Sequence, residues 1–186
     1  MTTATLPELI AAAQQMMTDT QAVFGGLTAE QLNWKPSPEQ WSIGQCFDHL
    51  KVTKEPYFPI IERVLDGTKQ DTLWEKLPWL PGLVGKQIIK AMQPTSRRKV
   101  KTMAAFEPSH SGIDSQILPA FIAQEQRWIE LISRTGSLDS TRIIITSPVA
   151  ALLTYSLQDA MRLMAVHERR HFQQAERVLQ TQGFPQ

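Results

Sequence analysis

At 186 residues the chain has the length of one domain and enough residues to bury a core, so a single domain over 1–186 is expected. Its 19 basic and 18 acidic residues leave a formal net charge of +1, which excludes a global pull toward nucleic acid, anionic lipid or acidic substrates. The single cysteine, Cys46, excludes an internal disulfide framework and an all-cysteine zinc site, and it fits a cytoplasmic protein.

The segment MTTATLPELIAAAQQMM has no basic stretch ahead of its apolar residues and carries Glu8, so it reads as an amphipathic helix rather than a secretion signal. No apolar run approaches the roughly 20 residues of a membrane span. Leu9, Ile10, Ala13, Met16, Met17, Val23 and Phe24 recur at helical spacing, and Gly25 and Gly26 end the pattern. LTAEQLNWKPSPEQW follows as an ordered connector whose prolines forbid a long helix.

Ser42 and Gln45 have the form of a capping box, with Trp41 and Cys46 as the accompanying hydrophobic staple. A second helix is therefore predicted from Ser42 to about Leu65, bent at Pro56 and Pro59 and closed by Gly67. Residues 67–111 are irregular, with Trp74, Trp79 and a short helical candidate over Val84 to Met92. A connection of this length suits two helices that run in the same direction, which obliges the chain to travel back between them. Ile117, Phe121, Trp128, Leu131 and Ile132 mark a third helix ended by Gly136. A fourth runs from about Ser156 to Gln180, with Gly183 beyond it. Only Arg142 to Thr146 has the composition of a strand. The expected class is all-α, a four-helix bundle with a long irregular connection between helices two and three.

The chemistry lies in the histidines. His167 and His171 stand four apart in a helical pattern, hence on one face, and their imidazoles can converge on one ion at about 2.0 to 2.1 Å. His49 is the candidate third ligand, because Phe47 and Leu50 beside it lie on the buried side of helix two. That assignment requires helices two and four to be neighbours. His110, in the loop segment FEPSHSG, is left out of the site. Taken alone, His49 reads as a hydrogen-bonded core residue, and a His pair at this spacing also arises by chance. In combination, three imidazoles in one small core leave up to six ring nitrogens seeking partners, at about 1 to 3 kcal/mol for each left unsatisfied. A shared cation removes much of that cost.

His167-Glu168-Arg169-Arg170-His171 also spells the H-E-x-x-H of zinc proteases, with Glu168 as base. Proteases of that type take a third ligand downstream, and the fifteen residues after His171 hold Glu176 and no histidine, so the bundle reading is preferred. Glu168 is then a surface charge or an orienting partner of the ligands. Cys46, three residues before His49, either approaches the metal or packs as a small apolar residue under Trp41. Gln45 and Asp48 are further candidates for orienting the histidines, with no catalytic role assigned.

Two segments, LNWKPSPEQWSIGQCFDHL and LTYSLQDAMRLMAVHERRHFQQAERVL, resemble the DinB-like (DinB/YfiT) superfamily of metalloenzymes, in which a tryptophan and serine lead into a histidine-bearing helix and an H-x-x-x-H lies near the C-terminus. The resemblance implies an up-down-down-up four-helix bundle, a divalent metal on His49, His167 and His171, and a homodimer. It also implies an activity like those of thiol-dependent transferases that use a low-molecular-weight thiol, or of an isomerase of ring-cleavage products.

Three neutral imidazoles leave an ion its full charge and an open position, so that it can lower the pKa of bound water to about 7 or hold a thiol as thiolate. Zinc is the first expectation, with nickel and iron accepting the same ligands. The expected function is that of a metal-dependent transferase or hydrolase acting on a small molecule. The alternative is a non-catalytic metal-binding bundle, or a binding module that uses the basic segment 76–101. Lys76, Lys86, Lys90, Arg97, Arg98, Lys99 and Lys101 fall there with no acid between Glu75 and Glu107. Arg97, Arg98 and Lys99 are the candidate anion-binding residues, for an anionic cosubstrate, nucleic acid or a membrane surface, against the plainer reading of a solvated face, with nucleic acid the less favoured partner.

Overall fold

Helix α1 (Leu6–Phe24) begins where its backbone donors are satisfied or absent: Glu8 accepts the N–H of Thr5 at 2.7 Å, and Pro7 occupies the first turn. It buries Leu9, Ala13, Met16 and Phe24 of the predicted stripe together with Thr20, while Val23 is exposed. The computed structural model describes residues 4–76, 112–149 and 153–186. The connector after α1 contains a short helix, α2 (Ala29–Asn33), that the prolines downstream had masked. Its start is fixed by reciprocal bonds between Thr28 and Gln31. At its end the Asn33 amide donates to the carbonyl of Ile113 at 2.8 Å and accepts the N–H of Ile113 at 2.6 Å. This pairing pins the chain just ahead of the third long helix.

Helix α3 (Ile43–Lys54) opens on the expected capping box, with Ser42 Oγ accepting the Gln45 N–H and Gln45 Oε1 accepting the Ser42 N–H, both at 3.1 Å. The predicted bend is a full interruption. Pro56 and Pro59 remove backbone donors in succession, so the chain tightens into a 3-10 turn over Glu55–Tyr57 before α4 (Phe58–Leu65) resumes. Gly67 then takes φ +69°, a left-handed conformation that only glycine adopts without strain.

Helix α5 (Ile117–Ser133) leads through a 3-10 turn, Arg134–Ser137, to an antiparallel ribbon of β1 (Ile144–Thr146) and β2 (Thr154–Ser156), with Ile145 opposite Tyr155. The strand-like run is thus β1, and its partner β2 is an addition to the all-α expectation. Ser156 ends β2 and also caps α6 (Leu157–Leu179), its hydroxyl accepting the Asp159 N–H at 3.0 Å.

The protein is mostly helical. Helices α1 and α3 each pack on both α5 and α6, which makes α3 and α6 the neighbours that the histidine reading requires. Two apolar clusters fill the interior. One gathers Tyr57, Phe58, Trp128, Leu157, Met161 and Met164, and the other Phe24, Phe47, Leu50, Phe121 and Phe172. Among the described residues no helix is long and apolar enough to cross a membrane. The helical candidate Val84 to Met92, Trp79, His110 and the basic Arg97, Arg98 and Lys99 lie outside the described residues.

The capping box and the second cluster make separable contributions to α3. Ser42→Ala is expected to lower unfolding free energy in urea by about 1 kcal/mol, and Phe47→Ala, which empties a fully buried site, by about 3 to 5 kcal/mol. A Ser42→Ala protein as stable as wild type would show that packing alone sets where α3 begins.

Candidate metal centre

The box at Ser42 sets the rotation of α3, and that rotation turns Cys46, Phe47, His49 and Leu50 inward. On the facing helix, His167 and His171 lie one turn apart on the buried side of α6. The three imidazoles meet between the helices. Each is less than a tenth exposed, their ring centroids are 4.6 to 5.0 Å apart, and one nitrogen from each lies within 4.8 Å of the other two.

The details fit a divalent ion. His49 Nε2 and His167 Nε2 face each other at 3.1 Å. Two ligands on one ion at about 2.0 to 2.1 Å stand roughly 2.9 Å apart at a right angle and roughly 3.3 Å apart in a tetrahedron, so the observed gap fits two donors sharing a centre as well as a direct N–H···N bond between the rings. His171 Nδ1 lies 3.0 Å from Gln174 Oε1. An amide oxygen only accepts, so Nδ1 carries the proton and Nε2 keeps its lone pair for the site. Burial, followed by the neighbouring imidazoles, holds the His167 pKa well below its usual 6.5, and burial and then His49 bring that of His171 down to about 3. Both rings are therefore neutral at physiological pH, the form that binds a metal.

The indole of Trp41, just before the cap, stacks on His171 at 5.6 Å with an interplanar angle of 21° and lies 5.0 Å from the His49 ring. The predicted staple residue is thus a wall of the site. Thr53 adds a bond from its hydroxyl to the His49 carbonyl at 2.8 Å, which tightens α3 one turn beyond the ligand.

Gln45 is buried and spends its side-chain oxygen at the cap. Cys46 is fully buried in the second apolar cluster. Burial pushes its thiol up to about 12, with Arg177 opposing in part, so it is a protonated packing residue rather than a thiolate. Asp48 lines a separate shallow cavity of about 270 Å³ with Lys51, Asp114 and Gln116.

Glu168 is not a surface charge. It is buried, and its Oε1 contacts the ammonium of Lys54 on α3, which also contacts Glu125 on α5. Burial raises the Glu168 carboxyl to about 7 against the opposing pull of Lys54. For Lys54, burial works against the charged form, and Glu168 and Glu125 outweigh it to leave the pKa raised. Sequence reasoning missed Gln174, Lys54 and Glu125. Gln174 carried a signal, since it follows His171 by three residues on the same helix face. Lys54 and Glu125 carried none, because a charged residue among apolar neighbours in a helix normally marks the solvated side.

The sequence profile of the DinB superfamily matches residues 12–175, a span that includes all three histidines. A curated relative, the uncharacterized protein YuaE of Bacillus subtilis (strain 168), is 28% identical over 156 residues, covering 82% of this chain and 86% of that protein. No solved structure matches the chain. With the profile spanning most of its length, this chain belongs to the DinB superfamily.

Proposed function

We propose that the protein is a metal-dependent enzyme acting on a small molecule, as a thiol-dependent transferase or a hydrolase, with His49, His167 and His171 holding one divalent ion. The observation that carries the reading is the convergence of three buried imidazoles, at least two of them held neutral, from two helices onto one point. Zinc is the first choice for an all-imidazole donor set, and nickel or iron accept the same ligands. When bound, such an ion supplies Lewis acidity and makes water or a low-molecular-weight thiol acidic enough to ionise near neutral pH.

The chain's own residues do the rest. Trp41 stacks on His171 and packs at a tilt against His49, and Gln174 orients His171. Glu168 is engaged with Lys54, which argues against the H-E-x-x-H protease reading, where this carboxylate serves as the free base.

The fold we propose is the up-down-down-up four-helix bundle over a single domain of residues 1–186. Support comes from which residues meet. Gln158 bonds to Ala4 and Arg169 pairs with Asp19, as expected when α6 runs alongside α1 in the same direction. Gln124 bonds to the carbonyl of Lys51 and Arg127 pairs with Glu62, as expected for α3 and α5 running together. A parallel α3 and α5 would also account for the long connection between them. The single cysteine supports a cytoplasmic location, and a homodimer is the assembly implied by the family resemblance.

Metal content by inductively coupled plasma mass spectrometry tests the reading. Wild type is expected to carry about one zinc, nickel or iron per chain and His167→Ala almost none, with activity toward thiol or hydrolysable substrates lost on chelation. Folded protein that takes up no divalent metal after reconstitution would overturn it.

The metal-free protein should also show opposed titrations. His167 and His171 have folded-state pKa values below the ordinary 6.5, so as pH falls below that value the unfolded chain binds more protons and each histidine reduces stability. Glu168, near 7 when folded against an ordinary 4.5, takes its proton first in the folded chain, so it adds stability as pH falls from about 7 to 4.5. Two losses and one gain therefore overlap between about 4.5 and 6.5. In chelator, Glu168→Gln should steepen the loss of urea stability across that window, and an unchanged slope would show that Glu168 titrates normally.

A further inference from the structure

The three histidines come from α3 and α6, yet the most completely buried charges belong to a cluster that adds α5. Lys54 is 1%, Glu125 0% and Glu168 4% exposed. Taking one ion out of water costs several kcal/mol, recovered only through good pairing. Here one ammonium serves two carboxylates, so the cluster carries a formal charge of −1 when both are ionised. Among the described residues no second cation forms an ion pair with Glu125 or Glu168, and Glu125 Oε2 has no hydrogen-bond partner. Buried carboxylates in such surplus call for a positive charge nearby.

The metal centre supplies the complementary deficit. Three neutral imidazoles contribute no negative charge, so a divalent ion on them keeps its full +2 in an interior of low polarity. The cluster is adjacent to that point on both helices. Glu168 directly follows His167 on α6, and Lys54 lies five residues beyond His49 on α3, about 7.5 Å along its axis. We propose that the Lys54–Glu125–Glu168 cluster is the counter-charge of the metal centre, with the carboxylate of Glu125 on α5 raising affinity for a divalent cation through space and Lys54 holding the two carboxylates apart. This rests on the metal reading above. Glu125 is a positioning residue in the electrostatic sense and touches no reacting atom.

Glu125→Gln keeps the shape of the side chain, removes the surplus charge and leaves Lys54 and Glu168 as a neutral pair. Zinc affinity measured by competition with a chromophoric chelator at about pH 8, above the value near 7 for Glu168, is expected to fall about 10- to 100-fold. Urea stability of the metal-free protein should hold or rise, because the repulsion between Glu125 and Glu168 is relieved while Lys54 keeps Glu168 as its charged partner. Glu125→Asp, which restores the charge, should recover affinity to within about threefold of wild type.

Affinity within about twofold of wild type in Glu125→Gln overturns the counter-charge, and so does a parallel fall in affinity and metal-free stability, which is what a purely structural role produces. Should Glu125→Gln fail to fold, Glu168→Gln removes the same charge from α6 and is read by the same two measurements. Wild-type protein that binds no zinc would sink the metal reading itself, whereas tight wild-type binding matched by the variant sinks only the counter-charge.

Discussion

The contact of α3 with α6 is the constraint on which the rest depends, because it takes three imidazoles out of water together. Each ring brings two nitrogens that need partners, and each left unsatisfied costs about 1 to 3 kcal/mol. Among the contacts that meet this demand are the bond of His171 Nδ1 to Gln174 and the approach of the facing nitrogens of His49 and His167. The apolar clusters on either side, with Leu50 and Phe172 in one and Met161 and Met164 in the other, lower the local dielectric. Every polar interaction in this seam is strengthened for that reason, and every unmet one is made more expensive.

The polar seam also explains why the interior is built in two halves rather than one. The histidines and the Lys54 cluster cross between α3 and α6, and the two apolar groups lie to either side of them. Helix α5 meets the Lys54 cluster through Glu125, which lies between Phe121 and Trp128, members of opposite clusters. Its buried carboxylate is thus placed by the packing of large aromatic neighbours one turn away in each direction.

Local rules made much of this legible from the sequence. The start of α3 follows from Ser42 and Gln45, its interruption from Pro56 and Pro59, and the face of α6 from the spacing of Leu157, Met161 and Met164. The pairing of His49 with His167 and His171 was within reach because each lies on an apolar stripe, and two such stripes in one small core have few ways to avoid meeting. What stayed hidden depends on partners far apart in the chain. The ribbon partner β2 is defined by pairing with β1, and the burial of Lys54 is intelligible only once Glu125 and Glu168 arrive from other helices. Trp41 was noticed for its place before the helix cap, where it packs against the cluster that holds Cys46, and its second role as a wall of the site follows only from its contacts with His49 and His171.

The separation of the donors along the chain has a further meaning. His49 and His167 are 118 residues apart, so an ion held between them is also a reversible cross-link that joins the first third of the polypeptide to its last. Closing a loop of that length in the unfolded chain is entropically unfavourable, by an amount that grows as the logarithm of its length, and a ligand that binds only the folded form shifts the balance further with its own concentration. Occupancy of the centre would then govern how long the chain survives as well as what it can do, and metal supply would act on the amount of protein before it acts on any reaction.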